Sequence, residues 1–178
     1  MLDLSYATQM VALFGTVDPY AVVLHEGTEH RTKTIKNSFM PEWNKSFIFN
    51  VADVTKGAKS DLVVKIVDWG DATGKREEIG ACTIPASRMS EVVRAKVGWE
   101  GQDTLSLYNR GKAVKGHDKQ PSQVTVRVRV QELPNVQEMP KAFDTLEVDD
   151  EAQGPRQMIV TVVSANHLPK VRMVYVAW

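Results

Sequence analysis

A single cysteine, Cys82, leaves this chain without an internal disulfide, so its core must hold together without cross-links. A lone thiol also suits a reducing compartment, and cytoplasmic placement is the expectation. No apolar run approaches the roughly 18–20 residues that a membrane-spanning helix requires. Met1-Leu2-Asp3 has neither the charged nor the apolar region of a signal peptide, so a protein that meets a membrane from outside is expected. Charge of one sign is missing too. With 22 basic and 22 acidic side chains the formal net charge is zero, no global field draws in nucleic acid, and any electrostatic attraction must be local. The four histidines, His25, His30, His117 and His167, are scattered, and none stands at metal-ligand spacing from the cysteine. Gly-x-Ser-x-Gly and phosphate-cradling loops are absent, so an enzyme is not expected.

What is present is a series of short alternating segments separated by turn residues. Phe47, Phe49 and Val51 fall on one face of residues 45–51, as Leu62, Val64 and Ile66 do in residues 61–67. Val124, Val126, Val128 and Val130 alternate with Thr125, Arg127, Arg129 and Gln131. Residues 20–24, 31–36, 78–85 and 104–108 also read as strands. Residues 87–96 form a short helix carrying Met89, Val92 and Val93 inward. Residues 68–76, rich in Gly and Asp, form a loop. The apolar cluster of Met10, Val11, Leu13 and Phe14 does not alternate cleanly, so a loop or short helix is predicted over residues 1–16. Such a pattern describes an all-β sandwich.

Two motifs narrow the class. Asp18-Pro19-Tyr20 enters a strand, and Asn37, Pro41, Trp43, Asn44 and Phe47 form an Asn-x-x-x-Pro-x-Trp-Asn-x-x-Phe signature across the next turn. Both resemble the C2 domain family. The resemblance implies an eight-stranded antiparallel β-sandwich that docks peripherally on anionic phospholipid membranes. The alternative is a protein-interaction or scaffold module of a larger trafficking or signalling protein that never touches lipid.

The resemblance further implies calcium ligands, of which the chain supplies an incomplete set: Asp18, Asp68, Asp71 and Glu77. Ala12 and Gly70 stand where carboxylates are expected, and Lys75 and Arg76 oppose a cation, so calcium dependence is predicted to be weak or absent. On the competing account Asp18 caps its turn, and Asp68 and Asp71 are ordinary turn residues. Met10, Leu13, Phe14 and Trp69 are the loop hydrophobes that would enter a membrane, or else pack as a cap over the sandwich. His30, Arg31, Lys33 and Lys36 are the headgroup candidates, on strands that in several C2 domains form a phosphoinositide-binding face. Alternation keeps Arg31 and Lys33 from joining Lys36 directly.

The family's first strand is missing ahead of the first loop, so residues 1–133 read as a C2-like unit lacking that strand. Residues 134–156, with Pro134, Pro140, Pro155 and an acidic run at 147–151, read as a linker. Residues 157–178 resume strand character and resemble the opening of a C2 unit, with Met158 and Ala165 bounding the strand. Three arrangements are open: this segment begins a second unit, fills the vacant slot of its own chain, or fills that slot in a second copy as a strand-exchanged homodimer. At about 3.3 Å per residue the linker could extend to roughly 75 Å, well beyond one strand length, so a return is sterically possible.

Overall fold

Alternating burial along each strand builds two packed sheets. The computed structural model describes residues 12–15, 17–51, 55–70, 76–132 and 156–174, the first and last strands by their backbone pairing. In chain order the elements are β1 (Ala12–Gly15), β2 (Pro19–His25), β3 (Thr28–Arg31), β4 (Glu42–Val51), β5 (Leu62–Trp69), β6 (Arg76–Ile84), α1 (Ala86–Arg94), β7 (Glu100–Ser106), β8 (Tyr108–Asn109), β9 (Lys112–Ala113), β10 (Gln123–Glu132), β11 (Arg156–Asn166) and β12 (Val171–Val174). One sheet runs β3-β2-β5-β6-β8-β9, the other β4-β11-β10-β7, and β1 pairs with β12. Every pairing is antiparallel. The β-sandwich expected from the sequence is what the chain forms. Val23, Leu62, Val64, Ile66, Val124 and Val130, all buried, face one another between the sheets.

Tight hairpins set two registers. Glu26 and Gly27 join β2 to β3 with φ of 46° and 78°, and Arg110 and Gly111 join β8 to β9 with φ of 49° and 76°. Positive φ at both central residues is the requirement of a type I′ turn, which matches the twist of the strands it connects.

The C-terminal strand lies inside the second sheet. β11 pairs with β10 on one side, from Gln123↔Asn166 to Glu132↔Arg156, and with β4 on the other, from Arg156↔Val51 to Ser164↔Glu42. Its inward side chains Met158, Val160, Val162 and Ala165 are fully buried. Outward, Ser46 pairs with Thr161 through their hydroxyls at 2.8 Å, and Asn50, Gln157 and Gln131 form a ladder of amides. A slip of one residue would turn the apolar set to solvent and break these rungs. The signature turn joins in: the Ala165 and Leu168 N–H groups donate to the Pro41 and Phe39 carbonyls. Pro41 is buried and Trp43 packs partly against the core, both in structural roles.

Helix α1 buries Met89, Val92 and Val93, as its period predicts. Pro85 precedes it and offers no side-chain cap, so the ends are closed from elsewhere. Asp61 Oδ1 accepts from Ala86 N at 2.8 Å, and the buried guanidinium of Arg156 donates to the Val93 and Ala95 carbonyls at 3.3 and 2.7 Å. Acid at the N-terminus and base at the C-terminus also suit the helix dipole.

Three sequence expectations are corrected. Ala12–Gly15 is a strand rather than a loop or helix, because its partner β12 lies at the far end of the chain, where no local pattern reveals it. The strand placed over 31–36 begins at Thr28 and its regular pairing ends at Arg31. Beyond that point Thr32 Oγ1 accepts from Ala21 N, substituting a side chain for part of the ladder, while Thr32 N and Ile35 N still donate to the Ala21 and Pro19 carbonyls. Arg156, assigned to the linker by composition, is the first residue of β11. Residues 134–155 lie outside the described residues.

Met158→Ala is expected to cost about 2–5 kcal/mol in urea unfolding. Arg156→Ala should cost about 1.5–3 kcal/mol, from the lost charge-assisted bonds. Thr161→Ala on the outer face should stay within about 1 kcal/mol. Equal, negligible effects at all three positions would show that β11 contributes nothing to the sandwich.

Candidate functional site

The loop end of the sandwich is organised by two carboxylates. Pro19 and Asp68 are register partners on β2 and β5, and Asp68 is buried. Asp68 Oδ1 accepts from Asp18 N at 2.7 Å, while Asp18 Oδ1 accepts from Asn37 N at 2.7 Å. Asn37 has a φ of 55°, so the Asp18 side chain closes a turn that the backbone enters in the left-handed region. Trp69 N donates to the Asp18 carbonyl and Ser38 N to the Val17 carbonyl, completing the tie. Glu77 lies opposite Asp68 on β6, with an exposed side chain. Asp71 lies outside the described residues, as do Met10 and Val11, and Leu13 and Phe14 are placed by backbone alone. Among the described residues no group of three or more His, Cys, Asp or Glu converges as a metal site. Asp18 and Asp68 each accept a backbone N–H through Oδ1 and so close turns at this end.

Beside this end, two groups of residues that the sequence kept apart come together. Arg31 is the register partner of Val22, and His30 of Val23. Directly opposed residues share a face, so Arg31 follows Val22 to the outer side of the sheet while His30 follows Val23 inward. The His30 ring stacks on Phe47, with centroids 5.1 Å apart and planes 3° from parallel, and meets Phe49 edge-on. Outside, Arg31, Lys33, Thr34, Tyr20 and Trp69 line a cleft of about 260 Å³. Trp69 is 38% exposed; Tyr20 meets its ring edge-on at 6.2 Å, and the Arg76 guanidinium lies over it at 4.7 Å. Tyr20, Val22 and Val67 form an apolar strip beneath the cleft.

Thus Arg31 and Lys33 share a cleft with Trp69, which the sequence places in a loop but which ends β5 opposite Arg76 on β6, and His30 does not join them. Lys36 is exposed, next to Asn37 in the turn that Asp18 closes. Alternation could have separated His30 from Arg31. The contribution of Tyr20 and Arg76 was hidden, because each reaches Trp69 across a different strand. Burial pushes the Cys82 thiol up to about 11, partly offset by backbone hydrogen bonds at Val64 and Cys82 itself, so at neutral pH it is protonated and a poor nucleophile.

Because Asp68 holds a backbone N–H in a buried position, Asp68→Ala should cost about 1–3 kcal/mol in urea unfolding with a chelator present. An unchanged midpoint under those conditions would mean that the carboxylate is kept for a metal and not for the turn.

The comparisons with known proteins agree with this architecture. The family model for the C2 domain matches residues 3–100. Ras GTPase-activating protein 4B of Homo sapiens is 33% identical over 85 residues, 48% of this chain and 10% of that protein. Ras GTPase-activating protein 4 of Mus musculus is 28% identical over 150 residues, 83% of this chain and 18% of that protein. Synaptotagmin-4 of Arabidopsis thaliana is 38% identical over 88 residues, 48% of this chain and 14% of that protein. The chain therefore spans less than a fifth of each of these relatives. With more than half of its residues inside the family match and its strands packed as an antiparallel sandwich, the chain belongs to the C2 domain family.

Proposed function

We propose that this chain is a non-enzymatic docking module that binds peripherally to anionic phospholipid surfaces without requiring calcium. One observation carries the reading: two cations, Arg31 and Lys33, share a cleft with a half-exposed tryptophan at the loop end of the sandwich. That combination suits a membrane interface, where an indole sits at headgroup level and basic side chains meet phosphate oxygens. No helix among the described residues is long and apolar enough to cross a bilayer, so the contact we propose is superficial. Two features support a reading without calcium: Ala12 and Gly70 stand where the family's other carboxylates are expected, and Asp18 and Asp68 each hold a backbone N–H.

Co-sedimentation with phosphatidylcholine vesicles, with or without phosphatidylserine, tests this. The chain should pellet with the anionic vesicles in chelator, and millimolar calcium should change neither that binding nor the melting temperature. At about 1 kcal/mol per basic residue near an anionic surface, replacing Arg31 and Lys33 together by Ala should weaken binding by about 30-fold. Failure to bind under every condition would overturn the membrane reading in favour of a module that docks on protein alone. A calcium-dependent gain would shift the site to Asp18 and Asp68.

A further inference from the structure

β11 is paired on both sides and packed beneath along its length. On either side, β4 and β10 offer it their backbone ladders. Beneath it, the core accepts Met158, Val160, Val162, Ala165 and Leu168, each fully buried. At one end the groove takes a guanidinium, because the C-terminal carbonyls of α1 at Val93 and Ala95 are satisfied by Arg156. At the other end it takes a histidine. His167 Nδ1 lies 2.6 Å from Asp118 Oδ2, the His167 carbonyl accepts from the Ser122 hydroxyl, and His117 N donates to the Leu168 carbonyl at 3.4 Å. Gly116 lies so close to the His167 carbonyl that a Cβ there would collide with it. Desolvation pushes the Asp118 carboxyl up, but hydrogen bonding and charge from His167, with the Gln120 N–H, outweigh it and hold the carboxyl below its ordinary value.

A generic edge strand would need only the ladders and the apolar set. Here Arg at one end and His at the other each meet a dedicated partner. Glu132 and Arg156 are register partners at the sheet end, and the chain between them, residues 133–155, is longer than the roughly two to five residues of a hairpin loop.

We propose that the groove between β4 and β10 is a sequence-selective site for an extended peptide of pattern Arg-x-Met-x-Val-x-Val-x-x-Ala-x-His-Leu. The chain fills it with its own residues 156–168, and the same segment from a second copy fits it equally. This is recognition by strand addition, and it stands independently of the membrane reading.

The test uses the full chain with a protease recognition sequence substituted within residues 140–147. After cleavage the two pieces should co-elute and melt as one unit. A fluorescent peptide spanning residues 155–169 should then exchange into the groove. A Val160→Asp version of it should bind more than about 100-fold more weakly, because it would bury a charge. An Arg156→Met version should bind about tenfold more weakly. Separation of the pieces while the larger keeps its cooperative melt would overturn the proposal. So would collapse on cleavage that excess peptide does not prevent, equal binding of the Val160→Asp peptide, or retention without exchange even in urea just below the midpoint.

Discussion

The insertion of β11 between β4 and β10 is the constraint on which the rest of this sandwich depends. Remove it and two adjacent ladders lose their partners, leaving rows of backbone donors and acceptors unpaired at the centre of a sheet. The core loses Met158, Val160 and Val162, each worth about 1.5–3 kcal/mol of burial, and α1 loses the guanidinium that closes its C-terminus. Even the signature turn at Phe39 and Pro41 loses the N–H groups that its carbonyls accept. A single late segment therefore ties together the helix, the turn and both flanking strands.

A separate tie, in the other sheet, shapes the loop end. Asp18 and Asp68 sit where β2 and β5 meet, and each carboxylate accepts a backbone N–H. Such bonds are charge-assisted and short, so they fix the exit of β5 and with it the position of Trp69. Tyr20 and Arg76 then hold the indole from two directions. Arg31 faces outward from β3 opposite Val22, and Lys33 lines the same cleft beyond the strand's end.

Much of this was legible in residue order because it follows from period. Phe47 and Phe49, the valines of β10, and Met89, Val92 and Val93 of α1 all point inward as alternation and helical spacing require. The Asp-Pro-Tyr and Pro-x-Trp-Asn motifs point to the family from residue order alone. What residue order concealed are links between distant segments. Asp61 and Arg156 cap a helix to which neither belongs, Ala12–Gly15 becomes a strand only because β12 lies beside it, and Trp69 shares a cleft with Arg31 and Lys33 through the pairing of β5, β2 and β3. Local propensity carries no record of such partners.

The central claim is that residues 156–166 form an interior strand of this sandwich, and amide hydrogen exchange tests it most directly. Amides within β11 that bond to β4 or β10, around Ile159 to Val162, should exchange as slowly as those of Val126 and Val128, by opening of the whole sheet. Exchange of the 156–166 amides at the rate of an unstructured chain, while β10 stays protected, would contradict it.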